Sequence, residues 1–337
     1  MRRRPDRMVK KDAALVIMVL IFSMIIVGQA LSYFAVPYNY GASAETTSDG
    51  VMYTATSNSS VSYTVLAYDN AKPIDTLHIY YDASHAVYGT SHASQKSFIS
   101  QLSAELEIRG FVGSVKVTDA AGLLEVVDAA YEPGDAILIT SGVLPKGVYD
   151  GETNFKIFDW VRDGGSLYWA GYAIGGKYAD GKTLMDAPAT YQSDIFGVPD
   201  SILTEQRTST ERSGDLSKAL MLSRTNVTYG LNVTAVPDTL SVGFEYTAGS
   251  GDVYSSIALT QYDDGMICVM GGMSRTSIAQ IIASGITPSS TLIGTDGGSL
   301  VRGGVAERTI PLSGETDVAV QIRIGDPNVV YARTIFL

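Results

Sequence analysis

The chain has 337 residues, with 24 Lys and Arg against 35 Asp and Glu, a formal net charge of −11 and a single cysteine, Cys268. So acidic a balance argues against nucleic acid as a partner, because phosphate binding needs a basic surface, and one cysteine excludes an intramolecular disulfide. A chain of this size that is 45% hydrophobic can bury one large or two medium cores without such a staple.

Residues 1–12 form a basic tail, with Arg2, Arg3, Arg4, Arg7, Lys10 and Lys11 against Asp6 and Asp12, and Ala13 to Val36 then carries no charge. About 20 apolar residues span a bilayer, so 13–36 is predicted to be a transmembrane signal anchor with the basic tail on the cytoplasmic side. This implies a single-pass plasma-membrane protein with an extracytoplasmic C-terminal domain. A secreted form cut at Ala42-Ser43-Ala44 and a pilin-like leader cut after Lys11 are the alternatives. Residues 37–50 read as a polar tether. Residues 51–70 contain two alternating runs, Val51-Tyr53-Ala55 and Val61-Tyr63-Val65-Ala67, which read as a hairpin or two edge strands.

From 71 to 290 strands and helices alternate. The predicted strands are Ile74 to Tyr81, Ser114 to Thr118, Asp135 to Thr140 and Ser166 to Ala170, and the predicted helices Ser94 to Arg109, Ala120 to Ala130 and Phe155 to Arg162. Short, almost wholly apolar strands separated by amphipathic helices imply a doubly wound, mainly parallel flavodoxin-like α/β sheet. An insertion at about 180–250 is rich in Gly, Ser and Thr. A hairpin over Ser255 to Met270, turned at Asp263-Asp264-Gly265, and a helix over Ser277 to Ser284 resume the α/β pattern. Residues 291–337 alternate again and form an accessory antiparallel β unit that is expected to pair with the strands of 51–70.

Three segments carry a family likeness. Asp135-Ala136-Ile137-Leu138-Ile139-Thr140-Ser141-Gly142 is a strand running into a polar loop. Trp160-Val161-Arg162-Asp163-Gly164-Gly165-Ser166-Leu167 is a helix end with a glycine pair before a strand. Gly171-Tyr172-Ala173-Ile174-Gly175 has the spacing of a nucleophile elbow. Together they resemble the class I glutamine amidotransferase-like superfamily over roughly residues 73–285. The resemblance implies a cysteine at the place of Ala173, and a histidine with an acidic partner after the last strand, where this chain has Gly271-Gly272-Met273-Ser274. With neither thiol nor imidazole no nucleophile is activated, so the likeness is to a degenerate, non-catalytic extracytoplasmic member, a pseudoenzyme with no catalytic residue.

In an open parallel sheet ligands bind at the carboxyl ends of the strands. There Asp82, Ser84, His85, Tyr88, Ser141, Gly142 and Tyr172 are candidate ligand-binding residues, or else ordinary polar loop residues capping strand ends. Asp82, His85 and His92 are too sparse a set for a three-ligand zinc centre, so no metal and no cofactor is expected. Asn58, Asn226 and Asn232 lie in glycosylation triplets, making this a candidate glycoprotein. Twenty tyrosines lean toward a protein- or carbohydrate-binding surface. The resulting expectation is a membrane-anchored, non-catalytic binding or assembly protein of the cell envelope or a membrane complex. Its partners would be other envelope or membrane proteins or a glycan. The alternative is a hydrolase of another mechanism with its site around Asp82, Ser84 and His85.

Overall fold

The computed structural model describes residues 39–198, 202–203, 207–209, 211–272, 274–312, 317–325 and 331–337. Its largest sheet has seven strands in the order Thr239–Ser241, Ile257–Tyr262, Gly265–Met270, Ser166–Ala170, Asp135–Ile139, Thr76–Tyr80 and Ser114–Thr118. The five from Gly265–Met270 to Ser114–Thr118 run parallel, Ile257–Tyr262 joins them antiparallel through the turn at Asp263, and Thr239–Ser241 pairs antiparallel to Ile257–Tyr262 at the edge. Each central strand is buried on both faces, which is why it reads as a continuous apolar run instead of alternating.

Alternate residues of those strands feed two cores. On one face Leu77, Ile79, Leu138, Tyr168, Cys268 and Met270 pack under helices His92–Ile108 and Arg275–Ser284. The first helix starts at Ser91, whose hydroxyl accepts from the Ser94 amide at 3.2 Å, and buries Ile99, Leu102 and Leu106 at helical spacing. The second starts at Ser274 and stops at Gly285, whose φ of +64° ends the helix in the left-handed region. On the other face Ile137, Ile139, Leu167, Trp169, Ile267 and Val269 meet helices Ala120–Asp128 and Lys156–Arg162.

The rest of the chain is β. Strands Tyr40–Thr47, Gly50–Ser57 and Gly304–Ile310 form one sheet, and Leu292–Leu300, Val61–Tyr68, Ala319–Ile324 and Tyr331–Phe336 another. Val51, Tyr53 and Ala55 of the first share a core with Tyr63, Val65, Val320, Ile322 and Ile324 of the second. The two alternating runs of 51–67 are therefore not a hairpin: they lie in different sheets, and each pairs with strands from the far end of the chain. The outer face of the second sheet meets the helical layer through polar groups. The Tyr68 hydroxyl donates to the Ser284 carbonyl, and Gln280 donates to Gln321.

The fold class read from the sequence needs correction. The described residues form 21 strands in five sheets and only six helices, so the chain is mostly β and not a doubly wound, flavodoxin-like α/β protein with a small accessory. The discrepancy has a physical origin. Backbone pairing builds strands where hydrophobic pattern is weak, as in Tyr40–Thr47, read as tether, and in the Gly-, Ser- and Thr-rich region, where Glu211–Arg212, Phe244–Thr247, Val253–Ser255 and Leu231–Asn232 make a sheet of their own.

The membrane reading is likewise corrected. No helix among the described residues is long and apolar enough to cross a membrane. The segment 13–36, on which the transmembrane anchor, the plasma-membrane location and the extracytoplasmic placement rested, lies outside the described residues, as do the basic tail and Met273.

Candidate functional site

The strand Ser166–Ala170 ends at Gly171, whose amide donates to the Met270 carbonyl at 2.8 Å. The chain then turns over Tyr172-Ala173-Ile174-Gly175-Gly176. Trp169 fixes this turn by donating its indole N–H to the Tyr172 carbonyl at 2.9 Å, and Tyr149 donates to the Gly175 carbonyl at 2.8 Å. Gly175 has φ +72°, and a Cβ there would lie 2.3 Å from Ile195 Cδ1. A nucleophile elbow leads from strand into helix. Here the turn leads into a hairpin, Lys177–Asp180 with Thr183–Asp186. The amidotransferase-like, pseudoenzyme reading of this motif is corrected accordingly: two consecutive glycines after Ile174 break the helix that such an elbow requires.

A pocket of about 160 Å³ opens at this turn, lined by Tyr88, Gly142, Ala173, Gly176, Lys177, Tyr191 and Tyr229. Tyr88 and Gly142 are among the residues singled out from the sequence. Tyr172 stands behind them, its ring meeting Tyr88 edge to face at 5.3 Å between centres. Gly142 has φ +73°, and a Cβ there would approach Tyr172 Cδ2 to 2.8 Å and the Tyr88 Cβ to 3.1 Å. Only glycine allows the loop to press against both tyrosines. Ser141 contributes backbone: its carbonyl accepts from the Tyr88 amide at 2.9 Å, and its buried hydroxyl donates to the Val143 carbonyl at 2.8 Å.

Lys177 supplies the pocket's cation. Its ammonium lies 5.1 Å from the centre of the Tyr88 ring and pairs with Asp186. Burial raises the Tyr172 and Tyr191 phenols above their ordinary value, with Tyr88 and Tyr229 adding to the effect on Tyr172. Aromatic walls thus surround a compensated charge.

Asp82, Ser84 and His85 form a separate cluster and do not line the pocket. Asp82 Oδ1 accepts from the Ser84 amide at 2.7 Å and the Ser84 hydroxyl at 2.6 Å, while Oδ2 accepts from the Ala120 amide at 3.1 Å, at the start of helix Ala120–Asp128. Burial alone would raise this carboxyl, but the bonds from Ser84 and Ala120, with His85 nearby, hold it below its ordinary value. His85 Nδ1 is 3.2 Å from Ser84 Oγ and 3.3 Å from Asp82 Oδ2. A hydrolytic triad uses opposite ring nitrogens for the nucleophile and the acid. One nitrogen facing both, with the serine proton given to the aspartate, is a turn-capping arrangement.

His92 packs edge-on to Tyr81, and among the described residues no three His, Cys, Asp or Glu side chains converge as a metal site. Of the glycosylation triplets, Asn226 is exposed, Asn58 half-buried and Asn232 buried, with its carboxamide oxygen accepting from Thr234 Oγ1 at 2.6 Å and from the Thr234 and Ala235 amides. Lys177, Tyr191 and Tyr229 were missed in the sequence. The glycine pair before Lys177 was the one available signal that the elbow does not continue as a helix.

No protein-family model matches the chain, and no curated protein matches it. The solved structures similar to it include an exo-β-1,4-mannosidase from Opitutaceae bacterium strain TAV5, at 12% identity and TM-score 0.34, covering 62% of this chain and 33% of that one. A β-galactosidase from Bacillus circulans sp. alkalophilus gives 10% identity and TM-score 0.39, covering 75% of this chain and 36% of that one. A β-galactosidase from Rahnella sp. R3 gives 10% identity and TM-score 0.40, with 79% and 42% coverage. The chain spans less than half the length of each.

Proposed function

We propose that this chain is a non-catalytic binding protein whose ligand occupies the pocket at the Gly171–Gly176 turn. The observation that carries the reading is the lining itself. Around Ala173 are three tyrosines, two glycines and a lysine already paired with Asp186. A concave site with aromatic walls and few polar groups is built to hold a small ligand. It offers no activated nucleophile and no carboxylate to share a proton.

The test is a ligand screen by thermal shift on the wild-type chain and on Ala173→Trp, which fills the pocket. Compounds that raise the melting temperature of the wild type but not of the variant support the reading, and the same compounds recovered chemically unchanged support the absence of catalysis. Equal shifts in both proteins for every compound, or turnover of a bound compound, overturn it. The hydrolase alternative around Asp82, Ser84 and His85 gains no support from the geometry of His85.

A further inference from the structure

The joint between the helical layer and the sheet of Ala319–Ile324 gathers three arginines from distant parts of the chain. Arg323 donates Nη1 to the carbonyls of Leu220 at 2.7 Å and Ala219 at 3.3 Å, at the end of the helix Asp215–Leu220. Arg212 donates Nη2 to the Leu222 carbonyl at 2.6 Å, two residues further on. Arg109 ends the helix His92–Ile108. The next residue, Gly110, sits so close to Ala332, the cross-strand partner of Arg323, that a Cβ would lie 2.7 Å from the Ala332 carbonyl oxygen.

The charge at this joint is not balanced. Arg109 and Arg323 are each only 4% exposed. Among the described residues, the one carboxylate within ion-pair distance of any of the three is Glu105, which Arg109 holds through Nη1. Three guanidiniums against one carboxylate leave two positive charges in excess. A buried lysine or histidine can shed its proton, but an arginine cannot. Burial, with Arg109 and Arg212 adding to it, brings Arg323 down only to about 10, so it stays charged at neutral pH. A buried charge without a counterion is costly.

Capping of helix ends accounts for the Nη1 bonds alone. The Nε groups of Arg109 and Arg323 are both buried, and neither meets an acceptor in the protein. Since the side-chain bonds of both run through Nη1, the Nε–Nη2 edge of each is left over. That edge is the planar fork that takes two oxygens of one carboxylate or phosphate. We propose that this joint is a binding site for a small oxyanion, held by the Nε–Nη2 edges of Arg109 and Arg323 in the field of Arg212. A cation would be repelled by all three groups, and a neutral molecule would leave the excess charge in place. A monatomic anion cannot offer two oxygens to one fork.

The experiment titrates the full chain, with isotopically labelled arginines, with sodium phosphate, sodium sulfate and sodium acetate, and with sodium chloride at matched ionic strength. The arginine Nε–H signals are followed by NMR. The expected result is a saturable shift of the Arg109 and Arg323 signals with at least one oxyanion and not with chloride. Arg109→Lys and Arg323→Lys keep the charge and lose the fork, and each leaves the other arginine as the readout. Each should weaken the binding by about tenfold, the loss of one bond to a charged donor. If a variant does not fold, the wild-type comparison of oxyanions with chloride still decides. No saturable shift with any oxyanion, or the same shift with chloride, overturns the site. Saturable shifts at unchanged affinity in both variants place the oxyanion elsewhere and overturn it too.

Discussion

Gln280, on the helix Arg275–Ser284, donates its side-chain amide to the Gln321 carboxamide oxygen at 2.6 Å, joining the helical layer to a strand of the β-sandwich. Both residues are buried, and Gln321 passes the link on by donating to Thr334 Oγ1 at 3.2 Å. A buried amide left without its partner costs about 1–3 kcal/mol, whereas removing both partners together is close to neutral. Gln280→Leu and Gln321→Leu should therefore each lower the unfolding free energy by about 1–3 kcal/mol, and the double change should restore most of it. Urea denaturation of the wild type, the two single variants and the double variant checks this. Additive losses in the double variant would show that the pair is not coupled.

Gly175→Ala tests the turn beneath the pocket. The left-handed φ costs a non-glycine residue about 1–2 kcal/mol, and the new methyl would meet Ile195 Cδ1, adding about 1–3 kcal/mol of overpacking. The expected outcome is a clear fall in melting temperature, together with weakened binding of whatever ligand the wild type holds. An unchanged melting temperature would mean that the turn is soft enough to accept alanine.

Asp150 makes the loop 150–154 acid-sensitive. Its Oδ1 accepts from the amides of Glu152 at 2.9 Å, Thr153 at 2.8 Å and Asn154 at 2.8 Å, and its Oδ2 accepts from the Thr153 hydroxyl at 3.0 Å. Burial opposes ionisation, but these bonds outweigh it and bring the carboxyl from 3.8 down to about 2. The folded value is the lower one, so the stabilisation is complete above the unfolded value of 3.8 and fades as the pH falls toward 2. Carboxyl-carbon NMR should find Asp150 titrating below the other aspartates. A midpoint at or above 3.8 would falsify the assignment.

Cys268 offers a reporter of unfolding. It lies in a central strand beside Tyr168, and burial pushes its thiol far above the ordinary range. A thiol reagent at pH 8 should leave the native protein unlabelled and modify it at the rate at which the large sheet opens. Rapid labelling without denaturant would mean the sheet core is accessible.

Legibility in the sequence followed the strength of the hydrophobic signal. Asp135–Ile139 and Ser166–Ala170 were readable because both of their faces are buried, and the helix His92–Ile108 because Phe98, Leu102, Leu106 and Arg109 recur at helical spacing, of which Leu102 and Leu106 are buried in the core together with Ile99. The strand Tyr40–Thr47 was not, since its Gly, Ala, Ser and Thr residues are held by the backbone ladder to Gly50–Ser57 and not by a buried face. For the site, Tyr88, Gly142 and Tyr172 were found from their places at strand ends. Tyr191 and Tyr229 come from the region of weakest periodicity, and only tertiary packing brings them to the pocket.

The ladder that ties Val61–Tyr68 to Ala319–Ile324 has a further consequence, in time and not in space. A strand near the front of the chain pairs with one roughly 250 residues later, so its edges stay open while nearly everything between is being synthesised. Contacts that distant in sequence are slow to form, and an apolar strand waiting for its partner is where a growing chain sticks to another. The pairing of Val61–Tyr68 with Ala319–Ile324 thus makes the closing of their sheet a slow, long-range step in the folding of this chain.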